Sequence, residues 1–144
     1  MSAVHFFETD LTWKEGKTGE LSSPVLDTKI TCATPPEFPN GVPNIWSPEH
    51  LYAAAINSCY MATFLAIAEN SRFLFDSFDC NTKIKLEMVD GKYLITEAEV
   101  TPTIVLNNPE KDKDRALRVV EKSKIHCLVT NSMKTEIEVN PIIK

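Results

Sequence analysis

The chain has 144 residues, a length that fits one domain, and its hydrophobic fraction of 43% is enough for an ordinary globular core. Its formal net charge of −5 argues against nonspecific binding to nucleic acid or to an anionic membrane, because both need a basic surface. The four cysteines include no CxxC pair, so the sequence predicts neither a zinc knuckle nor a thioredoxin-type motif.

The N-terminal residues lack the charged and apolar regions of a secretory signal, so we expect a cytoplasmic protein. Thiols stay reduced there unless one of them has a catalytic or sensing role. The long apolar stretch around Cys59 is interrupted by polar residues, among them Glu49, Asn57 and Glu69, so we expect no transmembrane segment.

The first third of the chain is predicted to be β-structure. Apolar and polar residues alternate from Phe7 to Trp13, which is typical of a strand, and the Glu15–Gly19 cluster predicts a turn. A second strand is predicted over Leu26–Cys32, with Cys32 on its apolar face. Residues 34–45 hold four of the nine prolines and therefore predict a loop.

A long central helix is predicted to follow the proline-rich loop. Ser47 suits the N-cap, Pro48 suits the first helical position, and the helix should end near Asn70. Because this helix is apolar on nearly all sides, we expect it to be buried.

A hairpin is predicted over residues 81–105, since Asp90-Gly91 is a strong type I′ turn signal between two alternating segments. Asn108 then begins a second helix, whose narrow apolar stripe includes Leu117 and Val120 and predicts a surface position.

The segment Ile125–Val129 marks the end of the second helix or the start of a short third one, and Lys134–Val139 predicts a final strand. The order of strands, helix, strands, helix and strand predicts an α+β fold with antiparallel sheet, because hairpins replace the crossovers of a parallel sheet.

Two cysteines carry the strongest indication of chemistry. Cys59 lies within the central helix and Cys127 follows the second helix, which suggests a redox pair that folding brings together. The neighbours of Cys59 at helical spacing are small or apolar, so a reactive thiolate there needs a cation from another segment. For both residues, the alternative is an unreactive buried cysteine that packs as a small hydrophobic side chain.

The remaining candidate residues give weaker signals. Glu49 complements the helix dipole, or it anchors a cation beside Cys59. Cys80 stands at the start of a predicted strand with no cation nearby. The three histidines have no metal-ligand spacing, and no glycine-rich phosphate loop is present, so we expect no metal and no cofactor.

The segment Trp46–Leu51, continued by Ala55–Cys59, resembles the motif of the OsmC/Ohr family, the osmotically inducible and organic-hydroperoxide-resistance proteins. In that motif, a Pro-Glu helix start is followed ten residues later by a reactive cysteine. The segment His126–Met133 is similar to the family's second cysteine segment. The resemblance covers nearly the whole chain.

This resemblance implies one OsmC-like domain over residues 1–144, with antiparallel sheets packed around a long buried central helix. It implies an intertwined α+β homodimer with two active sites at the subunit interface. It also implies reduction of organic hydroperoxides in oxidative-stress defence, with electrons from a dithiol such as a lipoylated protein, and no nucleic-acid or membrane partner.

The resemblance further implies a role for each site residue. Cys59 is the peroxidatic thiol, Cys127 the resolving thiol, and Glu49 orients an activating cation. Active members use an arginine from the N-terminal β-region, but the arginines here lie outside it, at positions 72, 115 and 118. Lys17 is the nearest substitute, although a lysine offers a point charge and not a bidentate fork.

Three functions therefore stay open at the level of sequence. The first is a dithiol-dependent peroxidase. The second is a non-catalytic OsmC-like dimer that binds an apolar small molecule and lost its activity with the arginine. The third is a redox sensor whose oxidation alters a contact with a partner.

Overall fold

The computed structural model describes residues 3–144. Its elements in chain order are β1 (Asp10–Glu15), β2 (Thr18–Ser23), β3 (Leu26–Ala33), α1 (Pro48–Ser71), β4 (Ser77–Val89), β5 (Lys92–Val105), α2 (Pro109–His126), α3 (Leu128–Asn131), β6 (Glu136–Val139) and β7 (Ile142–Ile143). The predicted α+β class with a long central helix is confirmed. The chain divides into two compact units between Leu51 and Tyr52, within α1, and the single domain over residues 1–144 stays a prediction.

The first unit contains a three-stranded antiparallel sheet in the order β1-β2-β3. Its first turn has Gly16 in the left-handed region, with φ of 53°, and the Trp13 indole donates a hydrogen bond to the Gly16 carbonyl at 3.0 Å. The predicted first strand begins at Asp10 instead of Phe7. The sequence predicts no strand over Thr18–Ser23, because its small polar residues carry no alternating apolar pattern.

The predicted proline-rich loop is present, and backbone hydrogen bonds connect it to the end of β3. The Ala33 amide donates to the Trp46 carbonyl at 2.9 Å, and the Val42 amide donates to the Thr34 carbonyl at 2.8 Å. At Gly41 a Cβ atom would lie 1.9 Å from the Pro35 carbonyl oxygen, so only glycine fits this close approach.

Helix α1 begins as predicted, since the Ser47 hydroxyl accepts a hydrogen bond from the His50 amide at 3.2 Å. Its buried residues form one stripe: Ile56, Tyr60, Phe64 and Ala68. The rest of the helix is not buried within the chain, because Met61 is 43% and Leu65 is 40% exposed. Burial is predicted for nearly all sides of this helix. Within the single chain, only one face is buried.

Helix α1 also has the length and apolar content of a membrane span, with 22% of its most apolar window buried. The core helix of a soluble protein meets the same criteria. The expected absence of a transmembrane segment therefore stays a prediction.

The second unit is built on the long hairpin of β4 and β5, which confirms the predicted Asp90-Gly91 turn: both residues have positive φ, of 50° and 79°. The sheet is mixed, however, because β6 and β7 both pair in parallel with β5. The predicted antiparallel pairing therefore holds for the hairpin, while α2 serves as a crossover that returns the chain parallel to β5.

Helix α2 is capped by Asn108, whose side-chain oxygen accepts from the Lys111 amide at 3.3 Å. Its buried residues are Ala116, Val119, Val120 and Ser123. Of the predicted apolar stripe, Val120 is buried as expected, but Leu117 is 38% exposed, because the buried face is centred on Val119 and Val120.

An aromatic cluster forms the centre of the core in the second unit. The Phe64 ring stacks on Phe78 with centroids 4.6 Å apart, and it meets Phe75 and Phe73 edge-on at 5.3 and 6.5 Å. These contacts join α1 to β4 and to the segment that connects them. They therefore fix the rotation of α1 against the sheet.

Replacement of Phe64 by alanine should destabilise the protein by about 3–5 kcal/mol, because it removes a buried ring and leaves a cavity. Denaturant unfolding measures the change in the free energy of unfolding. The control is Leu74→Ala, at a position that is 85% exposed and should change stability little. Equal effects of the two substitutions would contradict this description of the core.

Candidate functional site

The first component of the site is Cys59, which α1 presents as a half-buried side chain. Its sulfur lies 4.0 Å from the Thr63 hydroxyl, one helical turn further along. That hydroxyl donates its proton to the Cys59 carbonyl at 2.8 Å, so it faces the sulfur with its lone pairs.

The second component is Cys127, which is fully buried. It lies between α2 and α3 in an extended conformation, with φ of −67° and ψ of 107°, so it breaks the helical path. Its carbonyl accepts from the Asn131 amide at 3.0 Å and from the Thr130 hydroxyl at 3.2 Å. These bonds fix the backbone that carries the thiol.

The structure brings the two cysteine side chains together within the second unit, and both thiols are free. Burial raises the pKa of the Cys127 thiol, hydrogen bonds from Thr130 lower it, and a hydrogen bond with Cys59 raises it again. The net effect is a pKa above the ordinary value, so Cys127 is a protonated thiol at neutral pH. The arrangement is a pair of neighbouring reduced thiols.

Side-chain hydrogen bonds hold the part of α1 that precedes Cys59. The Tyr52 hydroxyl bonds to that of Thr135 at 2.6 Å, and the Thr135 hydroxyl donates to the Ile95 carbonyl at 2.8 Å. The Thr82 hydroxyl donates to the Asn57 side-chain oxygen at 2.6 Å. Both α1 residues, Tyr52 and Asn57, lie N-terminal to Cys59, so these bonds tie the first half of the helix to β4 and to the segment before β6.

A third thiol, that of Cys80, lies on β4 in the same unit, and the sequence carries only a weak indication of chemistry for it. Burial raises its pKa to about 11, with a further increase from Cys127. The pKa of Tyr60 is also raised, by burial first and then by Cys80. In a strand that begins at Ser77, side chains alternate between the two faces, so Cys80 shares the inner face with Phe78. Recognition of this strand start would have identified Cys80 as an inward-facing thiol.

The two other predicted site residues, Glu49 and Lys17, belong to the first unit. Glu49 lies in the first turn of α1, and its Oε1 atom is buried without a hydrogen-bond partner among residues 3–144. Lys17 is exposed in the turn between β1 and β2, where its carbonyl accepts from the Thr34 amide at 3.2 Å. Their roles beside Cys59 stay predictions.

Comparison with known proteins identifies one family. The model of OsmC-like proteins matches residues 41–141. Among proteins of curated function, none matches this sequence significantly.

Several solved structures resemble the chain over nearly its whole length. An OsmC-like protein of unknown function from Vibrio cholerae is 23% identical over 96% of this chain and 100% of that chain, with a TM-score of 0.85. An organic hydroperoxide resistance protein from Elizabethkingia anophelis is 18% identical over 100% and 99% of the two chains, with a TM-score of 0.77. That of Bacillus subtilis is 17% identical over 99% and 100%, with a TM-score of 0.69. These likenesses show the OsmC-like fold.

The free energy of unfolding of the reduced protein should fall as the pH rises from 9 to about 11. In this window an unfolded Cys80 releases its proton while the folded protein retains it, so ionisation favours the unfolded state. Denaturant titrations at several pH values measure the slope. The Cys80→Ser variant should show a shallower slope than the parent, and equal slopes would show that Cys80 is not desolvated in the fold.

Proposed function

This chain belongs to the OsmC-like protein family, and on that premise we propose that it is a cysteine-based peroxidase that reduces organic hydroperoxides. Cys59 is the peroxidatic thiol and Cys127 the resolving thiol. The observation that carries the proposal is the contact between these two free thiols, from α1 and from the junction of α2 and α3. Two of the similar structures are named as organic hydroperoxide resistance proteins, which supports the same reaction class.

The proposed cycle uses each thiol according to its position. The Cys59 thiolate attacks the distal peroxide oxygen, so the O–O bond breaks, the alcohol leaves and Cys59 becomes a sulfenic acid. The Cys127 sulfur then attacks the Cys59 sulfur and expels the hydroxyl group, which leaves as water with the proton that Cys127 carried. An external dithiol attacks the resulting disulfide and restores both thiols.

Apolar residues near the two cysteines along the chain favour a substrate with an apolar body. Val129 and Met133 follow Cys127, Tyr52 precedes Cys59 on α1, and all three pack against the hydrophobic core. Burial of alkyl or aromatic groups against such a wall favours fatty or aromatic hydroperoxides over hydrogen peroxide.

The exposed apolar surface of the chain supports assembly as a homodimer. In the second unit, Met61 and Leu65 form an apolar face on α1. In the first unit, the small sheet exposes Trp13, Leu26 and other large apolar side chains. Large apolar patches on a single chain are typical of surfaces that another chain covers. A cytoplasmic role in oxidative-stress defence completes the proposal.

Activation of Cys59 needs a positive charge, and we assign it to Lys17 under the direction of Glu49. The buried Glu49 oxygen without a hydrogen-bond partner supports this role, because a buried carboxylate oxygen calls for a donor. A lysine places its charge less rigidly than an arginine does, so we expect slower turnover than an arginine would give.

Replacement of Cys59 by serine should abolish turnover of cumene hydroperoxide with a dithiol reductant, because it removes the peroxidatic sulfur. The Cys127→Ser variant should reduce one equivalent of peroxide and then stop as a sulfenic acid. Stopped-flow kinetics and intact-mass analysis separate the two effects. The control Cys32→Ser should turn over normally, and full peroxide consumption by Cys59→Ser would refute the proposal.

Replacement of Lys17 by alanine should slow alkylation of Cys59 by iodoacetamide at neutral pH about tenfold or more, because an adjacent cation lowers a partner's pKa by one or more units. Lys92→Ala is a matched control, since Lys92 also follows a glycine with positive φ in a hairpin turn. An unchanged rate in Lys17→Ala would remove this lysine from the mechanism.

A further inference from the structure

The first unit contains a cavity of about 500 Å³ that the proposed peroxidase cycle does not use. The proline-rich loop and the first turn of α1 form its walls, and every lining residue precedes Leu51. Its lining includes Pro36, Glu37, Pro43, Ile45, Trp46 and His50. A cavity of this volume, apolar with a few polar groups, is typical of small-molecule sites.

Backbone contacts fix the walls of this cavity before any ligand binds. Trp46 forms a parallel bridge with Cys32 of β3, and its carbonyl accepts from the Ala33 amide at 2.9 Å. Asn44, which also lines the cavity, has a φ of 65°, in the left-handed region that asparagine adopts more readily than most residues. Because the walls are already ordered, a ligand loses less free energy to the ordering of side chains and loop.

The imidazole of His50 offers the cavity one defined hydrogen-bond donor. The Ser47 amide donates to His50 Nδ1 at 3.3 Å, and the Ser47 hydroxyl lies 2.7 Å from the same atom. An amide N–H only donates, so Nδ1 is an acceptor and the neutral ring carries its proton on Nε2. Among residues 3–144, no group accepts this proton, so it is available to an oxygen atom of a ligand.

The charge and the aromatic wall of the cavity favour a cation. Glu37 supplies a carboxylate to the lining, and no Lys or Arg of residues 3–144 lines the cavity or forms an ion pair with Glu37. Trp46 is 52% exposed, and the negative face of an indole ring attracts an ammonium group. Its ring meets that of His50 edge-on, with centroids 6.3 Å apart. A carboxylate or phosphate ligand would be repelled by Glu37.

We propose that this cavity binds a small aromatic amine that carries a hydroxyl or carbonyl oxygen. The ammonium group pairs with Glu37 and lies against the Trp46 ring. The aromatic body packs against Pro36 and Pro43, and the oxygen accepts from Nε2 of His50. The site belongs to the first unit, so it is independent of the thiol pair in the second unit.

Three matched small molecules test the site on the full-length protein. Tyramine carries the ammonium group, the ring and the hydroxyl, whereas phenethylamine lacks the hydroxyl. In para-hydroxyphenylpropionate a carboxylate replaces the ammonium group. Tyramine should bind most tightly, phenethylamine about threefold more weakly, and para-hydroxyphenylpropionate about tenfold more weakly. Tryptophan emission and calorimetry measure the three dissociation constants.

Two substitutions locate the ligand within the cavity. Glu37→Gln keeps the shape of the side chain and removes its charge, so the preference for tyramine over para-hydroxyphenylpropionate should fall from about tenfold to about threefold. Glu15→Gln is the matched control, because Glu15 is an exposed carboxylate of the same unit outside the cavity. Trp46→Phe should lose the emission change while calorimetry still detects tyramine.

The results that would overturn the proposal are distinct. Equal affinity for tyramine and para-hydroxyphenylpropionate would refute an amine site, and so would a preference that Glu37→Gln leaves unchanged. An absence of saturable tyramine binding in both measurements would refute any ligand of this class. An emission change that persists in Trp46→Phe would place the ligand at Trp13, the other tryptophan of the chain, and not in this cavity. Turnover of peroxide is measured separately, so none of these results decides the proposed function.

Discussion

The proximity of the Cys59 and Cys127 thiols is the feature on which the candidate site depends. The two residues are far apart in sequence, and neither has an unusual environment in its own helix. They meet because α1 packs one narrow stripe against β4, β5 and α2, which sets the direction of every side chain next to that stripe. Loss of this packing would leave two ordinary cysteines.

Polar contacts add to the apolar packing in fixing the position of α1. The bonds from Thr82 to Asn57 and between Tyr52 and Thr135 both lie N-terminal to Cys59 along α1. A slide or rotation of the helix would break at least one of them. Since sulfur chemistry needs the reacting atoms within bonding reach, these bonds matter more for geometry than for their individual free energies, which are about 0.5–1.5 kcal/mol each.

Much of this fold could be predicted from local signals in the sequence. The Ser47-Pro48 helix start and the Asp90-Gly91 turn were found because each depends on a few adjacent residues. The parallel pairing of β5 with β6 could not be found in this way, because it depends on where α2 returns the chain. Cys80 was undervalued for a related reason, since its inward orientation follows from a strand that begins at Ser77, before the predicted start of the hairpin.

If Cys59 is a peroxidatic thiol, substrate binding and thiolate formation require opposite surroundings. An apolar wall holds an organic hydroperoxide, but it disfavours the thiolate that must attack it. The described partners of this thiol in the second unit, Thr63 and Cys127, supply no positive charge, and the Thr63 proton is already donated to the Cys59 carbonyl. Neither of these partners can therefore activate the thiol, which explains why a dithiol alone does not establish a peroxidase.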